Sequence, residues 1–175
     1  AELDPLTDTV TPRTYCHLFD GEYFLIVMED LDEYEVGNQV EGATLRQTEL
    51  AIDELAKLHS TFWQKVEQFD WVPGISNSYH ADALYGGSKA GWPNMEKTFE
   101  VPPSVTKHKD LFLRSIPSLQ EGRMLDPITL VHGDYRMENL MYGNKPSENE
   151  LIVIDWQGPL KARGMFDVSL FLGQS

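Results

Sequence analysis

Ile128-Thr129-Leu130-Val131-His132-Gly133-Asp134-Tyr135-Arg136-Met137-Glu138-Asn139-Leu140 and, further on, Leu151-Ile152-Val153-Ile154-Asp155-Trp156-Gln157 are the most informative stretches of the chain. In each, a short apolar run fit for a strand opens into polar residues. Between them lie Leu140-Met141-Tyr142 and a polar turn from Gly143 to Glu150. Two β runs joined by a turn fold the chain back on itself, so Asp134, Asn139 five positions on, and Asp155 at the end of the second run can converge at one edge. Hard divalent cations such as Mg²⁺ take oxygen ligands, typically one or two protein groups with phosphate and water completing the shell. Asn139 and Asp155 supply such a pair. Asp134, holding no metal, is then free to orient a hydroxyl nucleophile and accept its proton. The plainer alternative makes Asp134 and Asn139 turn residues and Asp155 a strand-end cap. It accounts for each residue singly but not for their shared order, spacing and strand context.

Working outward, composition excludes several classes. The chain has 175 residues, 28 acidic and 14 basic, for a net charge of −14 and an isoelectric point near 4.6. Such a chain repels phosphate backbones and anionic lipid, which argues against nucleic-acid and membrane partners. One cysteine, Cys16, cannot close an intramolecular disulfide, so a reducing, cytoplasmic setting is expected. The longest apolar run, Tyr23 to Met28, is six residues, far short of the roughly 20 needed to span a bilayer. The N-terminus shows no secretory signal and no initiating Met. Residues 1–70 carry 16 acidic and 4 basic side chains, whereas residues 71–175 carry 12 and 10. The acidity is thus an N-terminal property, and net charge gives no argument for a cationic substrate.

The first ten residues read as an irregular lead-in. Arg13 to Phe19 and Tyr23 to Met28 flank Asp20-Gly21, a hairpin signature, and the unalternating second run predicts a strand buried on both faces. A loop is expected after Glu33. Leu45, Ile52, Leu55, Ala56, His59, Phe62, Trp63 and Val66 recur at helical spacing, with Thr44 as N-cap and Gln47 completing a capping box. Residues 70–103 are rich in Gly and Pro and predict loops with short helical pieces. A helix is expected from Ser104 to about Ile116, ended by Pro117. Gly164-Met165-Phe166-Asp167 introduces a last helix capped by Asp167.

Other constellations carry less. Gly86-Gly87-Ser88-Lys89 lacks the spacing and the strand-loop-helix setting of a phosphate loop. His17, His59, His80 and His108 are scattered and form no zinc pattern. His59 reads as a satisfied helix histidine, and Cys16 as a small buried strand residue. Trp71, Tyr79, Tyr85 and Trp92 read as either pocket wall or core, with core favoured.

The catalytic loop of protein kinases has the same Asp-x-x-x-x-Asn spacing, followed by a hairpin and a metal-binding Asp. His132-Gly133-Asp134 through Asn139-Leu140, with Ile154-Asp155-Trp156-Gln157, closely resembles the aminoglycoside phosphotransferase and choline kinase-like family of small-molecule kinases. There, Gly stands between His and Asp, and Ile-Asp-Trp replaces Asp-Phe-Gly. Leu25 to Leu31 looks like the strand and hinge that carry adenine, and Leu55-Ala56-Lys57-Leu58-His59 with Phe62-Trp63 like the long helix after it. Gly164 to Phe171 is similar to the family's Gly-x-x-Asp segment.

The resemblance implies an α+β, protein-kinase-like fold: residues 1–31 would end an N-terminal lobe and form the hinge, and 32–175 would be a helical C-terminal lobe, incomplete at its end. It implies transfer of the γ-phosphoryl group of ATP to a small-molecule hydroxyl, with Asp134 as base, Asn139 and Asp155 on Mg²⁺, and the backbone at Glu29 and Leu31 against adenine. His132 and Asp167 would support the loop, and Arg136 would reach phosphate or form a surface ion pair. Substrate choice would lie in residues 70–125. The 28 residues before Glu29 hold no Gly-rich loop and no Lys, so the chain is expected to be an internal piece, inactive by itself. A non-catalytic nucleotide-binding or interaction module is the alternative.

Overall fold

A turn decides the first element pair. Asp20 Oδ1 accepts the N–H groups of Glu22 at 2.9 Å and Tyr23 at 2.7 Å. Gly21 takes a left-handed φ of +102°, and the two flanking runs pair antiparallel as β1 (Thr14–Phe19) and β2 (Phe24–Met28). The structure is a computed structural model and describes residues 6–77, 79–145 and 149–174. Residues 1–5 of the expected lead-in, the tip of the turn after Gly143 and the side chains of Tyr79 and His80 lie outside the described residues.

The remaining elements are β3 (Tyr34–Val36), α1 (Leu45–Phe62), α2 (Tyr79–Thr98), α3 (Pro103–Thr106), α4 (Lys109–Gly122), β4 (Thr129–Val131), β5 (Leu140–Gly143), β6 (Leu151–Val153), β7 (Leu160–Ala162) and α5 (Met165–Gln174). Among the described residues they form an α+β architecture with three small sheets, ordered β1-β2, β3-β5-β6 and β4-β7. All strand pairs are antiparallel. The capping box opens α1 as expected: Thr44 Oγ1 accepts the Gln47 N–H, and Gln47 Oε1 accepts the Thr44 N–H.

The core lies between α1 and the short strands. Ala51 and Leu55 pack with Tyr135, Leu140, Val153 and Phe171, while Leu58, Phe62 and Val66 pack with Ile128 and Leu130. The first cluster takes in Tyr135 and Met137, and the second ends at Leu130 just before His132, so the polar loop is anchored in the core. Glu54, buried beside this core, accepts the Val10 N–H at 2.8 Å and the Lys57 ammonium at 2.7 Å.

Several expectations fail for identifiable reasons. β2 is exposed along its whole length, and Cys16 in β1 is exposed too. An unbroken apolar run signals burial only when layers cover both faces, and among the described residues this ribbon has none. The loop after Glu33 contains β3, held by pairing with β5. α2 is a 20-residue helix running through Gly86, Gly87, Gly91 and Pro93. Its contact with α4, where the Trp92 and Phe112 rings lie 5.9 Å apart, overrides local cost of roughly 1 kcal/mol per Gly.

The helix expected from Ser104 breaks earlier, at Lys107-His108, and α4 then continues through Pro117 with Ile116 and Gln120 buried. α5 begins before Asp167, which is buried in its first turn instead of capping it. Trp92 is buried as expected, whereas Trp71 and Tyr85 are exposed at 52% and 38%.

Candidate active site

β4 delivers the chain into the loop at His132, and three contacts set its path. Asp167 is wholly buried; its Oδ2 accepts the His132 N–H at 2.8 Å and its Oδ1 the Gly133 N–H at 3.1 Å. His59, from α1, donates from Nε2 to the same Oδ2 at 3.1 Å. Although His59 and Asp167 are 108 positions apart in sequence, α1 and α5 therefore meet on this loop. Gly133 has φ +90°, and a Cβ there would overlap the Gly158 carbonyl oxygen. Only glycine lets the loop lie this close to the segment before β7.

The His132 ring is buried, and its partners assign its tautomer. Nε2 donates to the Ile154 carbonyl at 2.9 Å, and Nδ1 accepts the Asp134 N–H at 3.2 Å. One imidazole thus ties the loop to the end of β6. Tyr135 and Met137 are buried while Asp134 and Arg136 between and beside them are partly exposed, so the loop alternates anchors with outward-facing polar groups. The Tyr135 hydroxyl donates to the Ala51 carbonyl at 2.8 Å. Burial, aided by the charge of Glu54, pushes its phenol well above the ordinary value.

Asn139 closes the loop. Its Nδ2 donates to the Asp134 carbonyl at 2.8 Å and to Asp134 Oδ2 at 3.1 Å, which commits the amide nitrogen and leaves Oδ1 as the ligand-capable atom. The Ile154 N–H donates to the Asn139 carbonyl at 3.0 Å. Asp155 follows at once, with a left-handed φ of +62° that ends the strand abruptly, and is exposed. Its Oδ2 accepts the Gln157 side-chain amide at a long 3.4 Å. An amide oxygen and a lightly engaged carboxylate suit Mg²⁺ in type and number.

The hinge residues sit apart from this cluster. The Glu29 N–H donates to the Arg13 carbonyl at 2.8 Å, and the Leu31 carbonyl accepts the Tyr34 N–H at 2.9 Å. No direct contact between these residues and Asp134, Asn139 or Asp155 is described. The link runs through β3 and Gly37, whose N–H donates to the Leu140 carbonyl at 2.9 Å. Gly86 to Lys89 lie inside α2.

Residues 2–158 match the family described as the phosphotransferase enzyme family. The chain belongs to this phosphotransferase family. No curated protein sequence matches it significantly. Its fold is that of several solved members: a Ralstonia eutropha JMP134 protein assigned as an aminoglycoside phosphotransferase (22% identical, 97% of this chain and 50% of that one, TM-score 0.57); an aminoglycoside-3'-phosphotransferase of type VIII (17%, 99% and 60%, 0.58); and the choline kinase LicA of Streptococcus pneumoniae (14%, 98% and 52%, 0.57). The fold is therefore protein-kinase-like, and the chain spans between half and three-fifths of the length of these relatives.

The resemblance puts His132 and Asp167 in support of the loop, and the helix spacing reads His59 as a satisfied helix histidine. That His59 and Asp167 are partners is not visible in the sequence. The sole local trace is Gly164, where a Cβ would come within 2.7 Å of the His59 ring.

Proposed function

We propose that the protein is an ATP-dependent small-molecule kinase, transferring the γ-phosphoryl group to a hydroxyl, with Asp134 as base. The observation that carries this reading is the double engagement of Asn139: its Nδ2 holds Asp134 while its carbonyl holds Ile154, so the base and both oxygen ligands are set by one residue. Asp134 accepts the hydroxyl proton as the new O–P bond forms, and the bond from γ-phosphorus to the ADP oxygen breaks with its electron pair leaving on ADP. Asn139 Oδ1 and Asp155 would hold Mg²⁺, which when bound neutralises phosphate charge. The protein's own share is positioning and electrostatics. His132 and Asp167 fix the loop, and the Glu29 carbonyl and Leu31 N–H receive adenine. In this reading residues 1–31 close an N-terminal lobe and 32–175 belong to the C-terminal lobe.

The named activities of the solved relatives make choline and aminoglycosides the first acceptors to assay. The charge of −14 gives no support to a nucleic-acid or membrane partner, and among the described residues no helix is long and apolar enough to cross a membrane. The single cysteine, Cys16, supports a reducing, cytoplasmic location in this reading.

The test is Asp134→Asn and Asp134→Ala in the full-length protein, followed by ADP release over that acceptor panel. Turnover is expected to fall at least about 10²-fold while Mg-ATP still binds by calorimetry. Undiminished turnover in both variants overturns the assignment.

A further inference from the structure

The Asp134 carboxylate is held unevenly. Both of its side-chain contacts fall on Oδ2, from Asn139 Nδ2 at 3.1 Å and from Arg136 Nε at 3.2 Å. The opposite end of the same guanidinium, Nη1, lies 3.2 Å from Glu138 Oε2. Building on the kinase reading above, we infer that Arg136 is a positioning residue for the base: it pins Oδ2 so that Oδ1 is the oxygen presented to the acceptor hydroxyl.

The local backbone explains how this comes about. Residues Met137–Asn139 form a single 3-10 turn with Arg136, in extended conformation, as its N-cap, and the Asn139 N–H donates to the Arg136 carbonyl at 2.9 Å. At three residues per turn, side chains at i and i+3 eclipse. Arg136 and Asn139 therefore reach the same carboxylate oxygen from the two ends of one turn. Tyr135 and Met137, buried on either side of Arg136, keep that turn from sliding.

An ordinary surface ion pair of Arg with Asp contributes about 0–1 kcal/mol and specifies little. Two features set this one apart. Arg136 Nε is closed to water although the side chain as a whole is about a third exposed. Its N–H is also not in line for a hydrogen bond to any acceptor, so the 3.2 Å approach to Oδ2 is ionic, made by a group that has given up solvent to lie there. A planar guanidinium can lie between Asp134 and Glu138 at once, whereas a lysine ammonium, a point charge on a flexible stem, cannot fix both.

The proton path follows. With Oδ2 occupied by an amide donor and a cation, the proton released by the acceptor goes to Oδ1 as the O–P bond forms and ADP departs with the electron pair of the broken bond. Losing Arg136 leaves Oδ2 held by the Asn139 amide alone, so the carboxylate turns more readily about χ2, and misplacement of a reacting group on the scale of 1 Å costs up to about 10²-fold in rate.

The test uses the full-length protein with Arg136→Gln, Arg136→Lys and, as reference, Asp134→Asn. The kinetic probe is Mg-ATP hydrolysis, with water in place of the unidentified acceptor. The structural probe is the Asn139 side-chain amide in a ¹H–¹⁵N correlation spectrum. Arg136→Gln is expected to lower kcat by about 10- to 100-fold with the KM for Mg-ATP within twofold. Arg136→Lys should recover part of that loss, and the Asn139 amide signal should move in Arg136→Gln.

A kcat within twofold of the native value, a loss that appears in the KM for Mg-ATP, or an unmoved Asn139 signal overturns the inference. Should Arg136→Gln not fold, Glu138→Gln loosens the same guanidinium from its other end, with a smaller kcat loss and unchanged KM expected and no kcat change counting against it. Failure of the kinase reading looks different: hydrolysis indifferent to Asp134→Asn, with the Asn139 amide still reporting whether Arg136 holds the carboxylate.

Discussion

At the scale of single residues, Asp167 does the most. One buried carboxylate takes two backbone N–H groups of the loop and the ring of His59. The Gly-x-x-Asp spacing marks it as a candidate in the sequence, but His59 lies 108 positions away, so no local pattern could join them. Tyr135 and Tyr142 give a residue-scale prediction. Burial is the largest cause raising both phenols above their ordinary value of 10. They stay neutral in the fold but ionise once unfolded above about pH 10, so their contribution is complete below that pH and lost as pH climbs towards the raised folded values. Melting temperature should therefore fall steeply above pH 10, and less steeply in Tyr135→Phe and Tyr142→Phe. Equal alkaline slopes in native and variant proteins would show that these phenols are not its source.

At the scale of elements, the loop from His132 to Asn139 depends on how closely β4 and the segment leading to β7 approach. Gly133, with φ +90° and no room for a Cβ beside the Gly158 carbonyl, is where they meet. Gly133→Ala should lower unfolding free energy by about 3 kcal/mol, from left-handed strain plus displaced backbone, read from the denaturant midpoint. A midpoint unchanged within error would mean the loop has slack the geometry does not show.

Elements also differ in how legible they are. α1 is legible in its capping box, Thr44 with Gln47, and in Leu55, His59 and Phe62, which face inward, whereas Leu45, Ala56 and Trp63 are exposed and the helix ends at Phe62, short of Val66. β3 is not legible, because three residues with no apolar alternation become a strand only when β5 pairs with them. α2 was misread for the converse reason: three glycines and a proline argue for loop, and the contact of Trp92 with Phe112 on α4 outweighs them.

At the scale of the whole molecule, burial is concentrated where the site is. α1, β4, β5 and β6 supply residues to the two clusters that anchor residues 132–139, whereas the β1-β2 ribbon leaves Phe19 and Phe24 more than 70% exposed. Regions with few buried contacts open at low free energy. Deuterium exchange is therefore expected to reach completion in β1-β2 well before it begins in α1 and β4, and uniform protection across both would contradict this distribution of packing. By itself the sequence determined the hairpin at Asp20-Gly21, the capped helix, and the order and spacing of Asp134, Asn139 and Asp155, because turns, caps and short motifs are local chemistry. Only the tertiary structure decided which faces are covered, that His59 completes Asp167, and that Arg136 and Asn139 share one oxygen of Asp134. Those facts rest on distances between residues that the chain brings together only by folding.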